Sequence, residues 1–245
     1  MRSFRGAMAC PLVTLVAGLA LTGCVTDEAA QGPRPAILPI DTLADPGERL
    51  SKWVRPIRVS LLGDGAEAQR DFVASRVAAL RKLTGHQITM AESGDADLWL
   101  VFGADKLATA AGQHSEVFAP LYSGEAAMRA DLEDDGEKEL CRAKQGMSAE
   151  NRYEIVYAAG SVPAELGYIK EENCINRLLI TALGSAGTKP LSEDQPDKPE
   201  NHAKIASALE IILLKVWYDD RVKPGMTVAE VQPVMNEKMG QLFKK

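Results

Sequence analysis

Residues 57–65 read Ile-Arg-Val-Ser-Leu-Leu-Gly-Asp-Gly, and the fold is decided there. Ile57, Val59 and Leu61 alternate with Arg58 and Ser60, the two-residue period of a strand with one face buried. Gly63-Asp64-Gly65 is a turn signal that ends the strand. From Ala66 the period lengthens to that of a helix: Val73, Val77, Leu80 and either Leu83 or Thr84 share one face. Gly85 is placed to cap its last turn. A strand that turns directly into an amphipathic helix commits the chain to packing helices on a sheet.

Toward the C-terminus, Ile88 and Met90 mark a short second strand. Leu98, Leu100 and Phe102 mark a third, with Trp99 and Val101 on its other face, and a strand apolar on both faces belongs in the middle of a sheet. Residues 103–152 hold Gly, Ala and a charge run, with a helix expected near Gly124 to Arg142. Tyr153 to Ala159 is the fourth strand. Glu171 to Gly184 reads as a helix with Ile175, Leu178, Leu179, Ala182 and Leu183 apolar. The proline-containing, charged stretch from Gly184 to His202 is an exposed loop of unusual length. In Lys204 to Trp217, Ile205, Ala208, Leu209, Ile212, Leu213 and Val216 form one stripe. Thr227 and Glu230 have capping-box spacing for a last helix, in which Pro233 is expected to produce a kink. The expected fold class is α+β: a mixed four-stranded sheet packed with helices and followed by C-terminal helices, in a single domain over residues 48–245.

Residues 1–23 stand apart from that domain. Arg2 and Arg5 give a basic start, and Leu12 to Leu21 is an apolar run shorter than the roughly 20 residues that span a bilayer. The run ends on Leu21-Thr22-Gly23-Cys24, which resembles the lipobox of bacterial lipoproteins. The resemblance implies diacylglycerol on the Cys24 sulfur, cleavage just before it, and acylation of the freed amine. An ordinary cleaved signal with an incidental cysteine is the alternative. Val25, where an Asp would signal inner-membrane retention, points to the outer membrane facing the periplasm. Residues 24–47, rich in Pro, Gly and Ala, read as a flexible tether.

Removing residues 1–23 takes away two of the 28 basic side chains and none of the 34 acidic ones, leaving a net charge of −8. Such a chain, with no Lys/Arg cluster, is a poor partner for nucleic acid. Anionic head groups repel it, so membrane contact falls to the lipid anchor. Cys10 leaves with the signal and Cys24 carries lipid, so Cys141 and Cys174 remain in the domain. In an oxidising compartment they suggest one disulfide, with two buried free thiols as the alternative.

Motifs for chemistry are sparse. No Gly-x-Ser-x-Gly elbow and no phosphate-binding glycine loop occurs. His86, His114 and His202 are the available imidazoles, and each reads as a surface or loop residue. Asp131, Glu133, Asp135 and Gly136 match positions 1, 3, 5 and 6 of a calcium loop, but Arg142 stands where the bidentate Glu is required. A solvated acidic face is the better reading.

Three stretches read together are more informative: Leu50-Ser51-Lys52-Trp53-Val54-Arg55-Pro56-Ile57-Arg58-Val59; Cys174-Ile175 leading to Ala182-Leu183-Gly184; and Trp217-Tyr218-Asp219-Asp220-Arg221-Val222-Lys223-Pro224-Gly225-Met226-Thr227. Together they resemble a family of exported bacterial proteins, domain of unknown function 2927, over residues 48–235. That family is similar to the zincin metallopeptidases, whose core runs strand–helix–strand–strand–strand–helix, the order read above. A zincin needs His-Glu-x-x-His on its last core helix, two imidazoles at i and i+4 for zinc and a Glu as general base. Here that helix reads Arg177-Leu178-Leu179-Ile180-Thr181, so no metal, cofactor or catalytic residue is expected on it. The resemblance implies a catalytically inactive zincin-like domain, a binding or scaffolding module for an envelope protein. The alternative is a hydrolase whose site is assembled from scattered carboxylates such as Glu154, Glu171, Glu172 and Asp219.

Overall fold

The computed structural model describes residues 36–38, 49–92, 94–103, 107–134, 141, 143–163, 168–184 and 208–242. Its elements run β1 (Ile37–Leu38), β2 (Lys52–Trp53), β3 (Ile57–Gly63), α1 (Ala66–Thr84), β4 (Ile88–Met90), β5 (Leu98–Phe102), α2 (Leu107–Gln113), α3 (Ser115–Phe118), α4 (Glu125–Asp134), β6 (Ala143–Ser148), β7 (Glu154–Val162), α5 (Tyr168–Ala182), α6 (Ala208–Trp217) and α7 (Val228–Leu242). A 3-10 turn over Ala119–Leu121 separates α3 from α4.

The β3–turn–α1 unit forms as its pattern dictates. Ile57 and Val59 are fully buried, and Gly63 turns the chain at φ +93, where a Cβ would stand 2.2 Å from the Phe102 carbonyl oxygen. Only glycine fits that approach. Gly85 closes α1 in the left-handed conformation, donating its N–H to Arg81 O at 2.9 Å.

One sheet follows the order β1-β6-β7-β5-β3-β4, with β2 also pairing β7. β3, β4, β5 and β7 are parallel, and β6 runs antiparallel to β7. β5 is central, as its two apolar faces require. Leu98, Leu100 and Phe102 join one core with α1, α5, α6 and α7. Val101 joins the other with Ala110, Phe118, Leu121 and Met128. Helices thus cover both faces.

Several expectations need refinement. The expected mixed sheet packed with helices is present, but its strands are largely parallel, which makes the fold mixed α/β. Among the described residues the sheet has seven strands, not four. The largest omission is β6, Ala-Lys-Gln-Gly-Met-Ser, whose one apolar pair and central Gly give no alternating period. Of the helix placed over Gly124 to Arg142, Glu125–Asp134 forms α4 and residues 135–140 lie outside the described residues; the tether contributes β1. β7 carries a bulge: Gly146 pairs Tyr157 while Met147 pairs Ile155, leaving Val156 as the extra residue. α6 buries Leu214 as well as Ile212 and Val216, because it packs on both α1 and α7. Pro233 lies inside α7. The loop expected after Gly184, residues 204–207 and Cys24 lie outside the described residues.

Candidate functional site

Chain segments around residues 52, 184 and 220 converge where β3 and β7 begin. β2 takes up the edge of β7 at Glu154 and Ile155, before β5 joins it at Ala158. Trp53, 1% exposed, donates its indole N–H to Ala182 O at 2.7 Å, in the last turn of α5. The Tyr218 hydroxyl donates to Leu183 O at 2.6 Å. Gly184, at φ +117, brings the end of α5 so close to β2 that a Cβ would lie 2.2 Å from Ser51 O.

The last carbonyls of a helix have no partner within it. Here side chains from distant segments supply the donors. Lys52 does so for α6, its ammonium donating to Trp217 O at 2.6 Å and to Val222 O at 3.0 Å. A cation there also complements the negative end of the helix dipole. Beyond it, Lys223-Pro224-Gly225-Met226 is a type II turn, with Met226 N–H on Lys223 O at 3.2 Å and Gly225 at φ +87. That turn is fastened to the chain entering β2: Leu50 N–H donates to Met226 O at 2.9 Å and Gly225 N–H to Leu50 O at 2.8 Å. The capping box then forms reciprocally, Thr227 N–H on Glu230 Oε2 at 2.7 Å and Glu230 N–H on Thr227 Oγ1 at 3.3 Å.

A cleft of about 720 Å³ opens at this junction. Its apolar wall includes Val54, Leu83, Tyr218 and Pro224, and Val54 is 55% exposed. Its charged lining is Lys52, Lys215, Lys223 and Lys238 against Asp219 and Asp220. Asp219 is already neutralised: Arg221 donates to it at 2.8 and 2.9 Å and Lys238 at 3.0 Å. The Arg221 hydrogen bonds, aided by Lys238, hold its carboxyl well below the usual carboxylate range. Among the described residues Lys215 and Lys223 have no ion pair, so an acidic chain presents a net positive cleft. Burial, reinforced by Lys223, pushes Lys52 down to about 8. Burial also lowers His86 from its ordinary value. Its Nε2–H donates to Arg55 O at 2.8 Å, and the ring stands 4.9 Å from that of Tyr218.

The sequence-derived sites distribute differently. Cys141 and Cys174 form a disulfide with Cα atoms 5.0 Å apart, so the free-thiol alternative falls. It ties the approach to β6 onto α5. Asp131 lies within α4, where it accepts from Tyr122 Oη at 2.7 Å and Lys144 Nζ at 2.9 Å. A helical backbone does not form a calcium loop, and Asp135 and Gly136 lie outside the described residues. His114 precedes α3, 3.6 Å from Glu116; His202 lies outside the described residues. Glu154 starts β7, whereas Glu171 and Glu172 sit in the first turns of α5, past its other end. At about 3.3 Å per residue, β7 separates these ends by roughly 25 Å, and Asp219 lies on the cleft. The four carboxylates share no site. Among the described residues, no group of three or more His, Cys, Asp or Glu is placed to hold a metal ion. The cleft residues Lys52, His86, Lys215, Tyr218 and Lys223 were not singled out as a site. Three of them lie in the quoted stretches, whose wide separation in sequence hides their meeting.

Fold and site together define a mixed α/β domain whose C-terminal helices are fastened back onto the β2 segment around a cation-rimmed cleft. The chain belongs to the family described as Protein of unknown function (DUF2927), whose model matches residues 40–237. No curated protein matches the chain, and no solved structure does.

Proposed function

We propose that the protein is a lipoprotein of the cell envelope, anchored through Cys24 at the outer membrane, and that its domain is a binding module. Its cleft takes an anionic group, carboxylate or phosphate, presented by another envelope component. The supporting observation is the state of the groups in the cleft able to do acid–base chemistry. Lys52, His86 and Tyr218 are each engaged with main-chain carbonyls. They hold the walls together, while Lys215 and Lys223, without an ion pair among the described residues, supply positive charge beside the exposed Val54.

The finer reading, a degenerate zincin-like domain, is supported by the strand order β4-β3-β5-β7-β6. Helices follow the first and last of these strands in the chain, and β6 is the antiparallel strand. The residues of α5 do not fit a zinc ion. Arg177 and Thr181 occupy the two ligand positions; neither offers an imidazole, and the Thr181 hydroxyl donates to Arg177 O at 2.7 Å. Thr181 O in turn accepts from Gln145 Nε2 of β6 at 2.6 Å. A side-chain bond from β6 and the disulfide just before that strand thus hold α5 by means other than a metal.

Photo-crosslinking in cells tests this proposal. A crosslinker at position 215 or 241 is expected to capture a discrete adduct that Lys223→Glu abolishes, whereas one at position 129, on α4, captures none. The same adducts from position 129 would remove the cleft from the argument. Palmitate labelling that persists in Cys24→Ala would remove the anchor.

A further inference from the structure

β1 is two residues long, belongs to the segment between Cys24 and the domain, and occupies the outer edge of β6. Ile37 lies opposite Ser148 and Leu38 opposite Met147, and Ala149 N–H donates to Ala36 O at 2.8 Å. That last bond fixes the pairing geometry. In an antiparallel ladder it makes Ile37–Ser148 the non-hydrogen-bonded pair and Leu38–Met147 the pair that exchanges both bonds. The occupying strand is short by sequence. Pro35 and Pro39 bracket Ala36-Ile37-Leu38; each favours an extended residue before it, and neither has an N–H to give a ladder. β6 itself has six residues, so the occupant is much shorter than the edge.

We propose that the outer edge of β6 is a strand-pairing surface which the chain fills with its own tether, and that an extended polypeptide segment of an envelope partner adds there by evicting β1. Main-chain hydrogen bonding supplies the affinity in such strand addition. A three-residue, proline-bracketed occupant shields the edge from uncontrolled pairing while remaining displaceable. Eviction also changes the leash, and this part rests on the lipid anchor proposed above. With β1 in place the anchor connects to the domain through the 12 residues from Cys24 to Ala36. Without it, 25 residues of sequence separate Cys24 from Arg49, the next described residue. At about 3.4 Å per residue the maximum reach rises from roughly 40 to roughly 85 Å.

The test uses the full mature chain carrying Leu38→Pro or Ile37→Pro. Leu38→Pro removes a ladder donor, whereas the Ile37 N–H points away from β6. Hydrogen exchange at the Ala149 amide is expected to accelerate at least tenfold in Leu38→Pro and to stay near wild type in Ile37→Pro, with β5 amides unchanged in both. A peptide copying residues 34–43 is the probe in trans. It is expected to bind Leu38→Pro at least tenfold more tightly than wild type and to restore protection at Ala149. Unchanged Ala149 exchange, or equal peptide binding by wild type and Leu38→Pro, would overturn the proposal. Neither measurement needs the lipid, so loss of the anchor reading in palmitate labelling is distinguishable from loss of this one.

Discussion

Helix α5 is fastened at two places by different means. Toward β6 it is held by the Cys141–Cys174 bond and by Gln145 on Thr181 O. At its C-terminal end it is held by Trp53 on Ala182 O, Tyr218 on Leu183 O and the close approach of Gly184 to Ser51. The first attachment includes a covalent bond that depends on redox conditions. The second is a set of side-chain donors brought to helix carbonyls by segments more than 100 residues away in one case. A cross-link acts chiefly by constraining the unfolded chain, whereas the capped end has its packing and polar satisfaction in the same side chains.

That contrast predicts the largest loss at the capped end. Trp53→Ala deletes a buried ring and leaves Ala182 O without its donor, so a stability loss of about 4 kcal/mol is expected in denaturant unfolding. A loss under about 1 kcal/mol would show that the capped end is not the stronger attachment. Replacing both Cys141 and Cys174 by Ser comes next. The bridge spans 33 residues, and chain entropy gives about 3–4 kcal/mol as an upper figure. The double variant is therefore expected to unfold at lower denaturant with the cleft intact, as judged by unchanged crosslinking at position 215. Loss of that crosslink would mean the two attachments are coupled.

The smallest effect concerns Lys52. Its folded-state pKa, about 8, lies below the unfolded value of 10.5. Between those values the unfolded chain binds more protons, so stability contributed by this group rises with pH across the window and is flat below it. Neutral Lys52 retains N–H donors for its carbonyl partners. The difference in unfolding free energy between wild type and Lys52→Met should therefore grow in favour of wild type from pH 8 to 10.5. A constant difference would place the Lys52 titration outside this range.

Much of the fold was legible because its elements carry period and punctuation. The β3–α1 unit, the two-faced β5 and the Thr227–Glu230 box each contain their own signal. β6 and β2 do not: Ala-Lys-Gln-Gly-Met-Ser has no alternation, and Lys52-Trp53 is too short for any period to show. Both exist because β7 offers them an edge, a tertiary cause that no local window contains. The disulfide was legible by counting cysteines. The cleft was not, since a lysine buried under two carbonyls and a lysine on a rim look alike in sequence. What could have located it is the quoted Trp217–Thr227 stretch: its Pro-Gly turn and its aromatic-acid pair are structural fittings, and fittings imply a joint.

The bulge at Val156 gives β7 a change of parity. Ile155 and Ala158 face one core although three positions separate them, and Tyr157 faces the other, its hydroxyl donating to Val117 O at 2.7 Å. β7 therefore acts as two short strands in opposite phase, one indexed to β2 and Gly184, the other to β5. A single-residue deletion there would bring the halves into phase and leave one of those two contacts facing the wrong layer. The strand thus has a point where length, more than side-chain identity, is constrained, and a scan of single deletions along residues 154–162 would locate it.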